Sequence, residues 1–455
     1  MNTTHSACLA ALQQRFGEQF SQGQSQREQH CHTTTWIKPQ LPDAVVFARS
    51  TEDVQDLVKI CAAHQCPIVP FGVGSSLEGQ LNAPYGGISV DLSGMDQILE
   101  VHQADLAVTL QPGVTREALN HYLRDTGLFF PIDPGANASL GGMVATRASG
   151  TNAVRYGTIR ENVLSLKVVT ADGQLIRTSS RAKKSAAGYD LTHLMIGSEG
   201  TLGIITEITL KLHGIPEQIT AGQCTFDSVT SACQAVAQVI QLGLPLARME
   251  LLDALQVKAC NQYSGLNLPE MPLLLLEFHG SGTAVAEQVE MFSQIAMDHG
   301  GNAPVFAKST EERNQLWKAR HDAYWASRAL RPGCQAHTTD ACVPISRLAE
   351  CVTQTQEDLE ASGLIAPIVG HVGDGNFHAL LLVDEQNPDE LARAKAAVSR
   401  IAKRAIEMGG TCTGEHGVGQ GKRDYLDLEH GAGVGLMQAI KRALDPNNLF
   451  NPGKL

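Results

Sequence analysis

Four glycine-rich segments in the first half of the chain limit its fold more than any other feature of the sequence. They cover residues 71–79, 134–142, 149–157 and 197–203. Glycine costs entropy inside helices and strands, so a chain with 43 glycines in 455 residues uses many of them for backbone geometry. Separate glycine loops suit one extended ligand whose phosphates are approached by backbone N–H groups. Each segment alone is compatible with an ordinary turn, whereas the four together, with nearby serine hydroxyls, favour a nucleotide cofactor.

The residues after the first segment exclude a dinucleotide site of the Rossmann type. That fingerprint needs a strand, the pattern GxGxxG, a helix, and an acidic residue about 20 positions further on. Here Gly72-Val73-Gly74 runs into SSLEGQLNAPYGG, which has no helical periodicity. We therefore expect loops from several strands to hold the nucleotide.

Composition excludes other classes of protein. The chain has 35 basic and 47 acidic residues, and its net charge of -12 opposes binding to nucleic-acid phosphates. Its 11 cysteines are scattered without a CxxC pair, so no zinc ribbon, disulfide framework or iron–sulfur cluster is predicted. The longest apolar run, MPLLLL, is far shorter than a membrane span. We expect a cytoplasmic protein with reduced thiols, no nucleic-acid partner and no transmembrane segment, so that any membrane contact is peripheral.

The N-terminal half predicts a helix, a linker and then a unit of mixed helices and strands. Apolar residues recur at helical spacing at Leu9, Leu12, Phe16 and Phe20. The polar stretch SQGQSQREQ follows and is typical of a linker. Short β-branched runs then alternate with helical windows, such as residues 51–64, up to about residue 212.

A second unit begins near Pro216. The runs CTFDS and PLLLLEFHG alternate with the helical stretches SVTSACQAVAQVIQLG and TAVAEQVEMFSQIAMDHG, which predicts a second sheet with helices on one face. A further long helix is predicted for residues 388–408, ending at the glycine pair 409–410.

The segment PIVGHVGDGNFHALLLV, residues 367–383, predicts a hairpin around a four-residue turn at positions 373–376. In that register His371 stands directly opposite His378, with Cβ atoms about 5 Å apart. Imidazoles at this separation can hold one metal ion. Two histidines in neighbouring strands are also compatible with a purely structural role.

The loop GTCTGEHGVGQG, residues 410–421, places Glu415 beside His416 among glycines. Glu415 would complete a set of two histidines and one carboxylate with His371 and His378, a set that suits zinc, manganese or iron. His416 would act as a base near neutral pH. A solvated turn without chemistry is the alternative.

Several stretches resemble one flavoprotein superfamily. PFGVGSSLEG, PIDPGANASLGGMVATRASGTNAVRYG and GSEGTLGIITEITLKL look like the flavin-binding domain of the vanillyl-alcohol oxidase or PCMH-type FAD oxidoreductases. HVGDGNFH and GEHGVG look like the C-terminal signature of the FAD-linked D-2-hydroxyacid dehydrogenases, which include D-lactate and D-2-hydroxyglutarate dehydrogenases and the glycolate oxidase D subunit. The similarity spans about residues 39–452.

The resemblance implies an α+β fold with a PCMH-type FAD-binding domain and a ferredoxin-like α+β cap. We expect an N-terminal helix and linker at residues 1–36 and the FAD-binding domain at 37–215. The cap or substrate domain is expected at 216–410, and residues 411–455 are expected to return to the FAD domain.

The resemblance also implies FAD, bound without a covalent link because no histidine between Pro67 and Tyr85 offers the tether that some superfamily members use. The residues expected to bind FAD lie in the glycine segments, the strand after the fourth segment, and the C-terminus. They are Gly72, Val73, Gly74, Ser75, Ser76, Gly79, Pro134, Gly135, Ser139, Gly141, Gly142, Ser149, Gly150, Asn152, Tyr156, Gly157, Glu199, Gly200, Gly203, Ile205 and Asn451.

In the family, two such histidines and the glutamate bind a divalent metal, and the adjacent histidine is the catalytic base. The resemblance therefore implies that His371, His378 and Glu415 are the ligands of zinc, manganese or iron, and that His416 is the base. Arg320, in LWKARHDAYWA, matches the arginine that pairs with the substrate carboxylate.

The substrate is predicted from the cap. LWKARHDAYWA and RPGCQAHTTDACVPISRL are similar to the D-lactate dehydrogenases rather than to the hydroxyglutarate enzymes. The latter carry an asparagine at the position of Leu380 and a lysine near that of Thr338, both of which hold a second carboxylate. A buried charge without a partner is strongly disfavoured, so a short or apolar D-2-hydroxyacid, above all D-lactate, is predicted.

The implied reaction is the oxidation of metal-bound D-lactate to pyruvate, in which His416 takes the hydroxyl proton and hydride passes to FAD N5. We expect an external electron acceptor, namely cytochrome c, a quinone or an electron-transfer flavoprotein, because the sequence has no haem motif or cysteine cluster. The alternatives are a glycolate oxidase D-type subunit acting in a complex, a D-2-hydroxyglutarate dehydrogenase, a metal-dependent hydrolase of a nucleotide, and a non-catalytic FAD or nucleotide sensor. A homodimer is compatible with the sequence, which does not determine the oligomeric state.

Overall fold

The computed structural model describes residues 5–31 and 35–454. Residues 1–4 and 32–34 of the predicted N-terminal helix and linker, and the last residue of the predicted C-terminal segment, lie outside the described residues. The chain divides into two compact units. Unit 1 comprises Met1–Ala148, Thr158–Ile215 and Glu415–Leu455, and unit 2 comprises Ser149–Gly157 and Pro216–Gly414.

The first sheet of unit 1 has four strands. In spatial order they are Phe20–Ser21, Ala44–Phe47, Ile88–Asp91 and Ile68–Phe71. The last three run parallel and the short first strand is antiparallel to its neighbour. Helices Ser6–Phe16 and Thr51–Ala63 share one buried apolar core with these strands. Parallel strands need such cover because both of their faces are buried.

The second sheet of unit 1 is antiparallel and has five strands. In spatial order they are Ile98–His102, Ala107–Leu110, Ile204–Lys211, Val163–Val169 and Leu175–Arg177. A separate pair joins Leu128–Phe129 to His213–Gly214. The remaining helices of unit 1 are Gln24–Gln29, Arg116–Leu123, Leu140–Thr146, Ile159–Asn162, Leu191–Met195, Leu426–His430 and Gly433–Leu444.

Unit 2 is built on one antiparallel sheet. In spatial order its strands are Val305–Phe306, Gln218–Thr225, Leu273–Gly280, Leu246–Leu252, Ile368–Gly370, Asn376–Val383 and Gln335–Thr338, and Ala341–Cys342 also pairs with Asn376–Val383. Its helices are Ala153–Tyr156, Val229–Gln241, Ala254–Ser264, Gly282–Asp298, Thr310–His321, Ala323–Leu330, Leu348–Ala361 and Pro388–Glu407.

Helices cover both faces of this sheet, so the prediction of helices on one face is wrong. Leu274 and Leu276 lie in a core with helices that include Val229–Gln241 and Pro388–Glu407. Leu273 and Leu275 lie in a second core with Val257, Trp317 and Ala326 from three other helices. The run MPLLLL is the physical reason, because consecutive leucines in a strand point to alternate faces and each face then needs its own cover.

Local patterning predicted other elements well. The helices at Thr51–Ala63 and Pro388–Glu407 are confirmed, the second ending before Gly409, whose φ is +80°. The predicted N-terminal linker is wrong in part, since it contains the helix Gln24–Gln29. In the described part of the chain, every helix is too short or too polar to cross a membrane.

Two aspartates that cap helices in the same way allow a test of how burial affects stability. Asp253 accepts a hydrogen bond from the backbone N–H of Gln256 at 2.7 Å, and burial raises the pKa of Asp253 to about 7. The folded state therefore retains a proton that the unfolded state loses near pH 4, so the Asp253 contribution to stability falls as pH rises from about 4 to 7. We expect Asp253→Asn to raise the Tm more at pH 8 than at pH 5 in thermal melts.

Asp190→Asn is the matched control. Asp190 is an exposed residue that caps the helix Leu191–Met195, and hydrogen bonds from the His193 backbone amide and ring lower the pKa of Asp190. Its contribution is present above the unfolded pKa and is lost as pH falls, so Asp190→Asn should lower the Tm at pH 8. An Asp253→Asn effect that is the same at pH 5 and pH 8 would contradict the raised pKa.

Candidate active site

The first glycine segment begins at the carboxyl end of the parallel strand Ile68–Phe71. Ser76 Oγ is buried there without a hydrogen-bond partner. A buried hydroxyl without a partner costs about 1–3 kcal/mol, and a polar ligand would remove that cost. This orphaned donor in a glycine loop fits a phosphate-bearing cofactor.

The second glycine segment lies against the first. A Cβ on Gly72 would stand 2.3 Å from Ser139 Oγ, so glycine permits this approach. A Cβ on Gly141 would stand 2.5 Å from the Pro112 Cβ, which has little freedom to move. Gly135 differs, because a Cβ at this position would have no atom within 4 Å. The second segment therefore combines close backbone packing at Gly141 with an open backbone at Gly135.

The third segment, Ser149–Gly157, is grouped with unit 2. The Tyr156 hydroxyl lies 2.7 Å from His279 Nδ1. Asn152 Oδ1 accepts a hydrogen bond from Arg248 Nε at 3.0 Å. Side chains on the strands of unit 2 thus position two of the five FAD-binding residues predicted in this segment.

The fourth segment is held by its one acidic residue. Glu199 has a φ of +50°, and its carboxylate accepts hydrogen bonds from the amides of Val418 at 2.7 Å and Gly419 at 2.8 Å. Burial raises the pKa of Glu199, although these two hydrogen bonds oppose the rise. Glu199 therefore ties the fourth glycine segment to the GEHGVG loop.

Asn451 connects the fourth glycine segment to the residue that follows the first one, through hydrogen bonds to their backbone carbonyls. Its side-chain amide donates to Glu199 O at 2.7 Å and to Gln80 O at 3.2 Å. Lys454 Nζ in turn donates to Asn451 Oδ1 at 2.9 Å. The C-terminal segment thus holds the fourth glycine segment and the residue after the first one in fixed positions relative to each other within unit 1.

His416, the predicted base, sits beside a carboxylate that sequence reasoning missed. Its carbonyl accepts a hydrogen bond from Gln80 Nε2 at 2.8 Å, and its Nδ1 lies 3.7 Å from Glu78 Oε1. Burial would raise the pKa of Glu78, but Lys422 at 3.0 Å and His416 outweigh it and hold the pKa below its usual value.

The histidine hairpin has a different register from the predicted one. His378 pairs with Val369 rather than with His371, because a 3₁₀ turn at Val372–Asp374 and Gly375, with a φ of +79°, lengthen the connection. His371 therefore lies beyond the end of strand Ile368–Gly370. The shift amounts to two residues, so both side chains keep the same face. Their ring centroids are 5.6 Å apart, and the structure does bring the two imidazoles together.

Each of these rings is oriented through Nδ1. His371 Nδ1 lies 2.8 Å from Glu250 Oε1, and His378 Nδ1 lies 3.0 Å from the Thr339 carbonyl. Asp340 Oδ1 is also near His378 Nδ1, at 3.5 Å. Histidines that bind metals are usually held in this way, by a carboxylate or carbonyl at the nitrogen opposite the metal. A metal bound to either ring would use Nε2.

Glu250 is the centre of this arrangement and was not predicted. It lies on strand Leu246–Leu252 and is 1% exposed. Its Oε2 accepts a hydrogen bond from Arg320 Nε at 2.7 Å and forms an ion pair with Arg320 Nη2 at 2.6 Å. One carboxylate therefore orients both His371 and Arg320. The available signal was the run RMELL, in which charged residues alternate with apolar ones along a buried strand.

The predicted ligand Glu415 directly follows Gly414. The Gly414 amide donates to the Asp340 carbonyl at 3.0 Å, and a Cβ on Gly414 would stand 2.3 Å from Asn376 Nδ2. Only glycine allows this approach, so Gly414 packs closely against Asp340 and the start of strand Asn376–Val383.

Comparison with known protein families identifies two matching regions. The model described as "FAD linked oxidases, C-terminal domain" matches residues 215–455, and the model described as "FAD binding domain" matches residues 42–179. The chain belongs to the FAD-linked oxidase family. The matched FAD-binding domain contains the first three glycine segments, which confirms FAD as the cofactor expected from them.

Two named relatives agree with this family, and one solved structure has the same fold. The chain is 51% identical to "Probable D-lactate dehydrogenase, mitochondrial" of Danio rerio, over 96% of this chain and 89% of that protein. It is 47% identical to "D-lactate dehydrogenase [cytochrome], mitochondrial" of Arabidopsis thaliana, over 91% of this chain and 73% of that protein. p-Cresol methylhydroxylase has the same fold, with a TM-score of 0.82 and 18% identity over 100% of this chain and 97% of that one. The expected PCMH-type fold is confirmed.

Gly135 allows a test of the second glycine segment. Since a methyl group at Gly135 meets no protein atom, Gly135→Ala should leave the Tm of the FAD-free protein unchanged. If the backbone of Gly135 approaches FAD, the same methyl group should raise the FAD Kd about tenfold or more, a loss of about 1.4 kcal/mol. Titration of the FAD-free protein, followed by flavin fluorescence, measures this.

Gly214→Ala is the control, because Gly214 has equally open surroundings but lies outside the glycine segments. It should leave both the Tm and the FAD Kd unchanged. A Gly135→Ala protein with an unaltered FAD Kd would remove Gly135 from the cofactor site.

Proposed function

We propose that this FAD-linked oxidase oxidises D-2-hydroxyacids, above all D-lactate, to 2-oxoacids and passes the electrons to an external acceptor. The observation that carries the proposal is the 51% identity to a D-lactate dehydrogenase over 96% of the chain. The names of both relatives favour this function over the glycolate oxidase, hydroxyglutarate dehydrogenase, hydrolase and sensor alternatives.

FAD would be held without a covalent link by the glycine segments, with Ser76 Oγ as a donor and Asn451 as a brace. Bound FAD supplies the acceptor for the two electrons removed from substrate carbon C2. The residues of the chain supply the rest of the chemistry, which is substrate binding, orientation and proton transfer.

We propose that His371, His378 and Glu415 bind one divalent metal ion, namely zinc, manganese or iron. The support from the structure is that a ring nitrogen of His371 lies within 4.8 Å of one of His378, with both Nδ1 atoms held by protein oxygens. Two imidazoles and one carboxylate are a common donor set for these metals. Such an ion would lower the pKa of the substrate hydroxyl.

His416 takes the proton of the substrate hydroxyl in this proposal. Glu78, 3.7 Å from His416 Nδ1, stabilises the imidazolium that results. Arg320 binds the substrate carboxylate through N–H groups that do not face Glu250, since a guanidinium carries five donors. Glu250 thereby positions the carboxylate-binding arginine and one metal-binding histidine together.

The substrate preference is supported by a pair of residues on adjacent strands. Thr338 and Leu380 are direct cross-strand partners, so the two positions that the hydroxyglutarate enzymes use for a second carboxylate lie side by side. Leu380 is 2% exposed and packs in the apolar core with Trp317 and Ala326. A second substrate carboxylate would find no cationic partner at this pair, which favours D-lactate.

We propose a cytochrome as the electron acceptor, because the Arabidopsis thaliana relative is named for one. The names of both relatives describe mitochondrial proteins. A cytoplasmic location for this chain, and its assembly as a homodimer, stay predictions from the sequence.

The proposal is tested by anaerobic mixing of the yellow holoenzyme with hydroxyacids. D-Lactate should bleach the flavin absorbance within one turnover, and L-lactate should not. D-2-Hydroxyglutarate should reduce the flavin far more slowly, because its second carboxylate would be buried without a partner. A holoenzyme that no D-2-hydroxyacid bleaches would overturn the function, and equal rates with D-2-hydroxyglutarate would overturn the substrate preference.

The same measurement tests the base. His416→Asn should slow flavin reduction by D-lactate by about 10²–10⁴-fold, the usual contribution of a general base, while FAD content stays normal. His430→Asn is the control, since this exposed histidine ends the helix Leu426–His430 in the same unit. A His416→Asn enzyme that reduces its flavin at the normal rate would remove His416 from the mechanism.

Glu250 provides a separate test of the metal site. Glu250→Gln should lower the affinity for the divalent metal about 10–100-fold, because His371 loses the carboxylate that orients it. Competition with a chelator of known affinity measures this.

Glu277→Gln is the matched control. Glu277 lies on the strand next to that of Glu250, is equally buried, and binds Arg313 and His279. Each change removes the charge of a buried carboxylate that pairs with an arginine, and each should lower the Tm. Metal affinity that falls equally in both variants, or in neither, would contradict the positioning role of Glu250.

A further inference from the structure

Three cysteines that are scattered in the sequence come together in unit 1. Cys8 lies on helix Ser6–Phe16, Cys61 lies on helix Thr51–Ala63, and Cys66 follows that helix. Their Sγ atoms all lie within 4.8 Å of one another, and each residue is 0% exposed. We call them the cysteine trio. The expectation of no cysteine cluster is therefore wrong for this part of the fold, because helix packing brings together residues 53 positions apart.

The end of helix Thr51–Ala63 explains the geometry. Gln65 adopts a φ of +50°, and the Cys66 amide donates to the Cys61 carbonyl at 2.9 Å. This turn reverses the chain and places Cys66 beside Cys61. Helix Ser6–Phe16 packs against helix Thr51–Ala63, and Cys8 Sγ lies 3.9 Å from Cys61 Sγ.

That spacing is close to what a metal requires. Zinc binds cysteine sulfur at about 2.3 Å, so two sulfurs on one tetrahedral ion lie about 3.8 Å apart, and two on one trigonal ion about 4.0 Å. A disulfide would need about 2.05 Å instead. The Cys8–Cys61 separation of 3.9 Å therefore suits two ligands of one ion.

The surroundings favour the thiolate form of Cys8, which is the form that binds a metal. Hydrogen bonds from the Cys61 and Cys66 thiols, helped by the charges of His64 and His5, lower the pKa of Cys8 to about 4. His5 Nδ1 in turn lies 2.7 Å from Asp43 Oδ2. Burial raises the pKa of Cys61. The hydrogen bond with Cys61 lowers the pKa of Cys66, but the hydrogen bond with Cys8 and burial outweigh it and raise that pKa.

We propose that Cys8, Cys61 and Cys66 bind one thiophilic metal ion, zinc or copper(I), at a site separate from His371 and His378. Soft thiolate sets select these ions, whereas an iron–sulfur cluster would need a fourth cysteine. Binding replaces the thiol protons of the trio, which pass to solvent, and requires no oxidant. Because the trio is fully buried, the ion enters as the unit folds. It cross-links the two helices immediately before strand Ile68–Phe71, which leads into the first glycine segment.

X-ray absorption of the full-length holoenzyme tests the proposal. Protein from cells supplied with zinc, and separately with copper, should show sulfur scatterers at about 2.3 Å from the metal. The zinc and copper preparations decide which ion is bound. Scattering from nitrogen and oxygen alone in both preparations would overturn the trio as a site, as would wild-type protein with a Cys8–Cys61 disulfide and no metal–sulfur scattering.

Variants assign the sulfur signal. Cys8→Ser should remove the metal–sulfur scattering and one equivalent of metal. Cys31→Ser, a buried cysteine of the same unit outside the trio, should keep both. His378→Ala should keep the sulfur scattering, which separates this site from the one in the proposed function. Retention of full metal–sulfur scattering by Cys8→Ser would overturn the proposal, and Cys66→Ser makes the same test if Cys8→Ser does not fold.

Discussion

Alternation of side chains across the sheet of unit 2 decides which of its residues can take part in chemistry. Residues directly opposite one another on neighbouring strands share a face, and each step along a strand changes the face. Met249, Leu251, Leu274 and Leu276 therefore fall on one face, in an apolar core under four long helices. The intervening residues, which include Arg248, Glu250 and Glu277, fall on the other face.

The second face combines charge with apolar cover. Arg248 stands directly opposite Glu277, and Glu250 follows two residues later on the same face. Helix Thr310–His321 covers this region and supplies both Arg313 to Glu277 and Arg320 to Glu250. A buried carboxylate is tolerated only when it is paired with an opposite charge, so each arginine stabilises the ionised carboxylate beneath it. Since Glu250 also holds His371, the geometry of the predicted metal ligand depends on a helix remote in sequence.

Sequence reasoning succeeded where local pattern decides structure and failed where distant residues meet. His371 and His378 share a face despite the wrong register, because a shift of two residues preserves the alternation. Glu250 could not be linked to His371, 121 residues away, or to Arg320, 70 residues away, by any local periodicity. The cysteine trio was missed for the same reason. Its spacing fits no motif within one segment, and only the packing of two helices brings Cys8 to Cys61.

The glycine segments of unit 1 raise a complementary problem, since residues without side chains cannot hold their own loops in place. The holding groups come from elsewhere: Glu199 binds two amides of the GEHGVG loop, and Asn451 binds the carbonyls of Gln80 and Glu199. Both Glu199 and Asn451 have a positive φ, which costs conformational energy in residues other than glycine. These hydrogen bonds offset that strain, so the first and fourth glycine segments and the loop that carries His416 take their positions from the same two side chains.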